Sequence, residues 1–218
     1  MTRTALVADL HGRYQNLRRI IDAAAAARAD RIVVVGDYLE AKVSKKLAAA
    51  GGHWSLEEVV DPDPPLWESL LSDCVLVRGN QEERIAHLLA GQPLPPALAG
   101  ILAAPPEYRD KDAVYVHGHG FDWYRTEQGP WCPVLREPGA PHSRYFFGHS
   151  HRRILVETGG TDGSTFRRLT EPATGSPHVL GQGGPWLVNC GAAFQDAAHW
   201  TLYDDDDETV TFMTAGDS

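Results

Sequence analysis

The chain has 218 residues, 43% hydrophobic and 22% charged, the composition of an ordinary globular protein able to bury a substantial core. A formal net charge of −9 speaks against a broad nucleic-acid-binding surface, although one local cationic site can still receive a phosphorylated ligand. No run reaches the roughly 18 apolar residues of a membrane span, and an aspartate interrupts the apolar run of the opening MTRTALVADLHG, against a signal peptide.

TALVAD, residues 4–9, reads as a short buried strand. Tyr14 to Ala29 is helix-like, with Leu17, Ile20, Ile21 and Ala24 forming an apolar face at helical spacings. RIVVVGD, residues 31–37, is a second strand, β-branched and bounded by Gly36. That order predicts a parallel βαβ unit with Asp9 and Asp37 together at the carboxyl edge of the sheet, where open α/β folds place their sites. Across residues 41–72 the rhythm changes. KVSKKLAAA, GGHWSLEEVV, DPDPP and WESLL predict a crossover enlarged by a cap-like insertion, whose Lys42, Lys45 and Lys46 read as a solvated helix face near the rim of the site.

Strand CVLV, residues 74–77, leads into RGNQEE, and residues 81–90 predict a helix closed by Gly91 and Pro93. A short helix is expected before Pro106. DAVYVHGH gives another strand, ending on His117 and His119, and SRYFFGHSH repeats the pattern of strand, glycine, then histidines. Between them, residues 121–143 are rich in tryptophan, proline and glycine and read as an ordered loop. RILVE, TFRRL, PWLVNCG, HWTLYD and TVTFMT read as short strands of a second, more antiparallel sheet. One domain over residues 1–218 is expected. Cys74, Cys132 and Cys190 form neither a zinc spacing nor a disulfide framework, which suits a cytoplasmic setting.

Five strand-like runs therefore end in potential metal ligands: Asp9 with His11, Asp37, Asn80, His117, and His149 with His151. Each alone is weak, since a lone histidine is commonly a satisfied polar residue. Together they place seven nitrogen or oxygen donors on one sheet edge, a set too large for one ion and suited to two if a carboxylate bridges. Paired ions roughly 3.5 to 4 Å apart form a hydrolytic clamp, and aspartate can bridge them where histidine cannot.

DLH at 9–11, GDYLE at 36–40, GNQEE at 79–83, HGH at 117–119 and GHSH at 148–151 resemble the motifs of the calcineurin-like metallophosphoesterase family, and NCG at 189–191 is similar to a turn of its small phosphodiesterase-like members. The resemblance spans residues 9 to 191 and implies an α/β fold, a two-sheet β-sandwich flanked by helices in four αββα layers. It implies that Asp9, His11 and His151 hold one divalent ion, that Asn80, His117 and His149 hold a second, and that Asp37 bridges them. Asp37, Asn80 and His149 then count as catalytic residues, and a hydroxide between the ions attacks phosphorus. Manganese is the first expectation for both ions, with iron, zinc, cobalt and nickel as alternatives.

Two departures bear on substrate. Protein-dephosphorylating members of the family have a leaving-group histidine at the position of Gln81, held by an acidic residue at that of Glu82; glutamine has no useful acid form. His119 is a candidate replacement, and Gln81 is otherwise a polar wall of the pocket. The arginine of the family's GDxxDRG signature is replaced here by Ala41 and Lys42, so Arg78 becomes either the phosphate clamp or a partner of Glu40 or Glu82. Tyr38 and Arg125 are further candidate substrate contacts. Trp123 and Tyr124 read first as a packed loop and second as stacking surface for a base or aryl ester. The expected activity is hydrolysis of a phosphate ester, a diester or nucleotide-type substrate ahead of a phosphomonoester on a small molecule or phosphopeptide. A metal-binding scaffold is the rival from another class. Neither stable nucleic-acid binding nor membrane association is expected.

Overall fold

The structure, a computed structural model, describes residues 2–125, 131–134, 143–159, 165–181 and 185–216. Its first unit is the expected one. β1 (Arg3–Val7) lies parallel to β2 (Arg31–Val35), Leu6 opposite Val33, with helix α1 (Tyr14–Ala26) as the crossover. Three helices precede the next strand: α2 (Lys45–Ala49), α3 (Leu56–Val59) and α4 (Pro64–Asp73). Each starts on a side-chain cap, from Ser44, Ser55 and Asp63 respectively, and Pro64 fits the first turn of α4, where no amide donor is needed. β3 (Cys74–Val77) then adds parallel to β2 and passes into α5 (Asn80–Leu88) and α6 (Pro96–Leu102).

The second half supplies β4 (Glu107–Asp110), β5 (Ala113–Val116), β6 (Asp122–Arg125), β7 (Trp131–Val134), β8 (Arg144–Phe147), β9 (Arg153–Gly159) and β10 (Thr165–Thr170). β11 (Pro177–Val179), β12 (Trp186–Cys190), β13 (His199–Asp204) and β14 (Thr209–Thr214) follow. Two six-stranded mixed sheets result, ordered β11-β14-β13-β1-β2-β3 and β10-β9-β12-β8-β5-β4. The fold is the two-sheet α/β sandwich flanked by helices.

Alternation along the first strands explains the layering. Ala5 and Val7 of β1, with Ile32 and Val34 of β2, face the helices and pack with Leu17, Ile20, Leu70 and Ile85. Leu6, Val33, Val35 and Val77 face the other way, against Tyr115, Phe146, Leu155 and Val188 of the second sheet. Both faces of β1 and β2 are thus buried, which is why these strands read as unbroken apolar runs. Each valine, leucine, isoleucine or phenylalanine among them contributes about 1.5–3 kcal/mol of burial free energy.

Two expectations are corrected. The C-terminal strands form no sheet of their own: β9, β10 and β12 join β5 and β8, whereas β13 pairs antiparallel with β1 and brings β14 and β11 with it. The edge of β1 away from β2 would otherwise be open, and Arg3 Nε meets Asp204 Oδ2 at 2.8 Å across that pairing. The segment read as a loop contains a ribbon, β6 antiparallel to β7 with Asp122 opposite Val134; residues 126–130 and 135–142 of that reading lie outside the described residues. No helix among the described residues is long and apolar enough to cross a membrane.

Candidate metal centre

The five donor-bearing strands end at one place, but from two sheets. β1, β2 and β3 approach from the first and β5 and β8 from the second, each set parallel. Just past these ends the backbone turns through the left-handed region at non-glycine residues: φ is 53° at Asp9, 48° at His11, 52° at Asp37, 68° at His149 and 59° at His151. Such conformations cost about 1–3 kcal/mol each and persist only where surrounding bonds over-determine them. Those bonds are present: the amides of Asp9, His11 and Gly12 donate to Gly36 O, Asp37 O and Tyr38 O at 3.1, 2.9 and 2.9 Å. At Gly36, φ +86°, a Cβ would lie 2.5 Å from His117 Nδ1, so glycine lets the end of β2 touch the histidine from the opposite sheet.

The donors gather into two groups, Asp9 with His11 and His151, and Asp37 with His117 and His149; within each, one ligand atom per residue lies within 4.8 Å of the others. Asn80 joins the second group, its Oδ1 3.1 Å from His117 Nε2. His117 Nε2 is 3.2 Å from Asp37 Oδ2, and His151 Nε2 is 3.5 Å from Asp9 Oδ1 and 3.4 Å from His11 Nε2. Ligand bonds of about 2.1 Å put neighbouring donors about 3.0 Å apart in an octahedron and about 3.4 Å apart in a tetrahedron. The observed spacings match.

Tautomers agree. His117 Nδ1 donates to Val35 O at 2.9 Å and His11 Nδ1 donates to the Glu40 carboxylate, which turns both Nε2 atoms toward the site as the metal-binding nitrogens. Without a cation the charges strain against burial. Burial lifts the Asp9 carboxyl to about 7, the Asp37 charge adding to the effect. Burial would lower His117, but the hydrogen bond and charge of Asp37 carry it up to about 9. His149 falls to about 4 through burial and the neighbouring His117 and His119. A buried set of carboxylate, amide and imidazole donors whose protons give way to a cation fits divalent ions of the Mn, Fe, Zn, Co or Ni type.

Several residues brace the donors without joining them. Glu82 is fully buried and accepts from the amides of Asp37, Leu39 and Gly79 at 2.9, 2.8 and 2.9 Å, tying α5 to the turn after β2. Asn189, at the end of β12, donates to Gly148 O at 2.6 Å and Ser150 Oγ at 2.8 Å, flanking His149. The bracing roles of Glu40, Glu82 and Asn189 were not legible in the sequence; a polar residue at the end of the buried strand PWLVNCG was the one available signal, for Asn189.

The expected substrate contacts divide. Tyr38 is fully buried with its hydroxyl donating to Ile101 O at 3.0 Å, so it is a core residue rather than a substrate contact. Gln81 is also buried; its amide donates to Asp37 Oδ1 at 2.9 Å, while its side-chain oxygen accepts from Ala41 N and from Arg84. It is a brace for the 39–41 turn, not an open wall. Arg78 approaches neither Glu40 nor Glu82 but Glu83, at 3.8 Å. His119 stays at the site, its ring 5.4 Å from that of His117 and its Nε2 3.2 Å from Glu83 Oε2. Trp123 also stays, packed 5.7 Å from the His149 ring with its indole donating to Gly118 O. Arg125 is exposed on β6. Lys42 is committed to Glu57 O and Asp61, both at 2.7 Å.

Residues 2–162 match the family model described as calcineurin-like phosphoesterase, and the chain belongs to that family. Its fold is similar to that of a metallophosphoesterase from Sphaerobacter thermophilus, with 16% identity, a TM-score of 0.59, and coverage of 98% of this chain and 88% of that one. A protein of Pyrococcus horikoshii OT3 described as hypothetical is similar as well, at 12% identity and TM-score 0.52, covering 100% and 89%. No curated protein matches in sequence. Family, fold and the two donor groups support metal-dependent hydrolase activity on phosphoesters in general terms.

Proposed function

We propose that the protein hydrolyses a phosphodiester or nucleotide-type substrate with two divalent ions, manganese first, held by the two donor groups with Asp37 shared between them. The observation that carries this reading is the adjacency of two donor groups, one of them holding Asp37, whose backbone carbonyl accepts from His11 N of the other at 2.9 Å. When bound, the ions supply Lewis-acid activation of water and of the phosphoryl oxygens. The chain's own part is to hold Asp9, Asp37 and Asn80 in place through strained turns, to fix the imidazole tautomers, and to present His119 and Trp123 at the lip.

A diester is favoured over an alkyl monoester because position 81, turned to Ala41 N and Arg84, delivers no acid to a leaving group. An acidic leaving group needs little protonation. His119 is the side chain placed to offer a hydrogen bond to the leaving oxygen, and Trp123 to stack on an aryl or base moiety. We take the setting to be cytoplasmic, in keeping with the free thiols of Cys74, Cys132 and Cys190, and the substrate to be a small phosphorylated molecule rather than nucleic acid.

The test is turnover of bis-p-nitrophenyl phosphate and p-nitrophenyl phosphate by the Mn²⁺-loaded protein. The expected result is faster cleavage of the diester, with Asp37→Asn reducing both rates by more than about 100-fold. Turnover of neither compound by protein shown to hold metal would replace the enzyme with a metal-binding scaffold.

A further inference from the structure

A groove of about 480 Å³ opens beside the first donor group and shares His151 with it. Its other polar walls are Arg152, Arg153, Glu171 and His199. Two guanidinium groups against one carboxylate make this a positive spot on a chain whose net charge is −9. Its position is not that of a scattered surface charge, because it adjoins the place where a phosphoryl group would be cleaved.

The groove is also built. Gly191, φ +83°, has no Cβ, and one there would come within 2.7 Å of Arg153 Cγ; the turn after β12 therefore lets the Arg153 stem lie flat along it. Arg153 Nη1 then donates to Thr174 Oγ1 at 2.6 Å, which fixes the guanidinium and leaves its remaining donors for another acceptor. Arg152 Nη1 meets Glu171 Oε1 at 3.4 Å, both side chains being largely exposed. His199 lines the same groove, its Nδ1 buried against the Gly191 turn. The N–H donors of the two guanidinium groups would meet phosphoryl oxygens in this groove, since arginine forks suit phosphate geometry.

We propose that this groove binds a second phosphoryl group of the substrate, one not being cleaved, through Arg152 and Arg153, with His199 in its wall. It rests on the phosphoester-hydrolase reading of the adjacent site and narrows it to substrates with two or more phosphoryl groups, joined either directly as an anhydride or through a sugar.

Calorimetric binding of AMP, ADP and adenosine 3′,5′-bisphosphate to the holoprotein in saturating Mn²⁺ tests this without requiring turnover. ADP or the bisphosphate should bind at least about tenfold more tightly than AMP, a modest figure because the groove is partly open to solvent. Preference for ADP assigns the groove to an anhydride, and preference for the bisphosphate assigns it to a sugar-linked phosphate. In the variant R152Q/R153Q that ratio should collapse to about one. Because Arg153 packs on Gly191, Arg152→Gln alone serves as the second variant and should lower the ratio by about threefold. Glu171→Gln should raise it, since Arg152 loses its competing carboxylate. Equal affinity of the wild-type protein for all three ligands, or a preference that survives R152Q/R153Q, overturns the proposal. A preference that collapses as expected in a protein without phosphoesterase turnover would uphold the groove and sink the hydrolase reading instead.

Discussion

Replacing Gly36 with alanine tests how closely the two sheets depend on each other at the site. The residue sits at φ +86°, where an L side chain is strained by about 1–2 kcal/mol. Its new Cβ would meet His117 Nδ1, Cγ and Cβ at 2.5, 2.6 and 2.7 Å, contacts that no relaxation of a flexible side-chain end can relieve, since His117 is pinned to Val35 O and 1% exposed. Overpacking of this kind costs about 1–3 kcal/mol, so the total loss is about 2–5 kcal/mol. For a chain of this length that is a fall in melting temperature of roughly 4–20 °C. The proper control is Gly91→Ala at the end of α5, where φ is +79° but nothing lies within 4 Å of the added carbon, so only the backbone strain applies. Thermal unfolding of both variants in chelator, followed by Mn²⁺ titration, separates the two contributions. Gly36→Ala should melt lower than Gly91→Ala and should bind metal more weakly at the second donor group, because His117 must move. Equal melting temperatures and equal metal affinity in the two variants would refute the inter-sheet contact.

Other consequences follow from the same geometry. Glu40→Gln removes the carboxylate that fixes the His11 tautomer and should weaken Mn²⁺ binding at the first group by about 10–100-fold, read by isothermal titration. In the metal-free protein His117 holds its proton up to about pH 9 and Asp9 up to about pH 7, and both protons must leave before a cation can bind. Apparent affinity should therefore rise with pH, by about tenfold per unit between pH 7 and 9 for the one proton of His117, and calorimetry in buffers of different ionisation enthalpy should register the release. An affinity that is flat over that range would contradict this coupling of metal binding to proton release. Gln81→His should leave the ratio of alkyl to aryl ester turnover unchanged, because position 81 faces Ala41 and Arg84; a selective gain on alkyl monoesters would show that it reaches the substrate.

The sequence made the first sheet's parallel core and the donor positions legible for a single reason: buried strands are unbroken apolar runs, and a polar residue at the end of one stands out. Asp9, Asp37, Asn80, His117, His149 and His151 all follow such runs directly, with His11 one turn further on. What the runs could not disclose was partnership. β13 lies about two hundred residues from β1 in the chain, yet Leu202 pairs with Ala5, and nothing in HWTLYD says which sheet it joins. β4 and β11 leave little trace in the sequence because EYRD and PHV are short and alternate in exposure rather than forming apolar runs. The roles of Gln81, Glu82 and Glu40 are hidden in the sequence for a related reason. Their partners are backbone amides or a ring nitrogen presented by turns whose shape depends on positive φ at Asp37 and His11, which residue type alone does not announce.

The most direct measurement is the metal content of the wild-type protein and of Asp37→Asn after equilibrium dialysis against Mn²⁺, with turnover of bis-p-nitrophenyl phosphate followed in the same samples. Two ions per wild-type chain, loss of at least one in the variant, and turnover that rises and falls with occupancy are the predicted results. Undiminished turnover by protein stripped of all divalent ions, or an unchanged stoichiometry when Asp37 loses its charge, would contradict a paired centre built on that carboxylate.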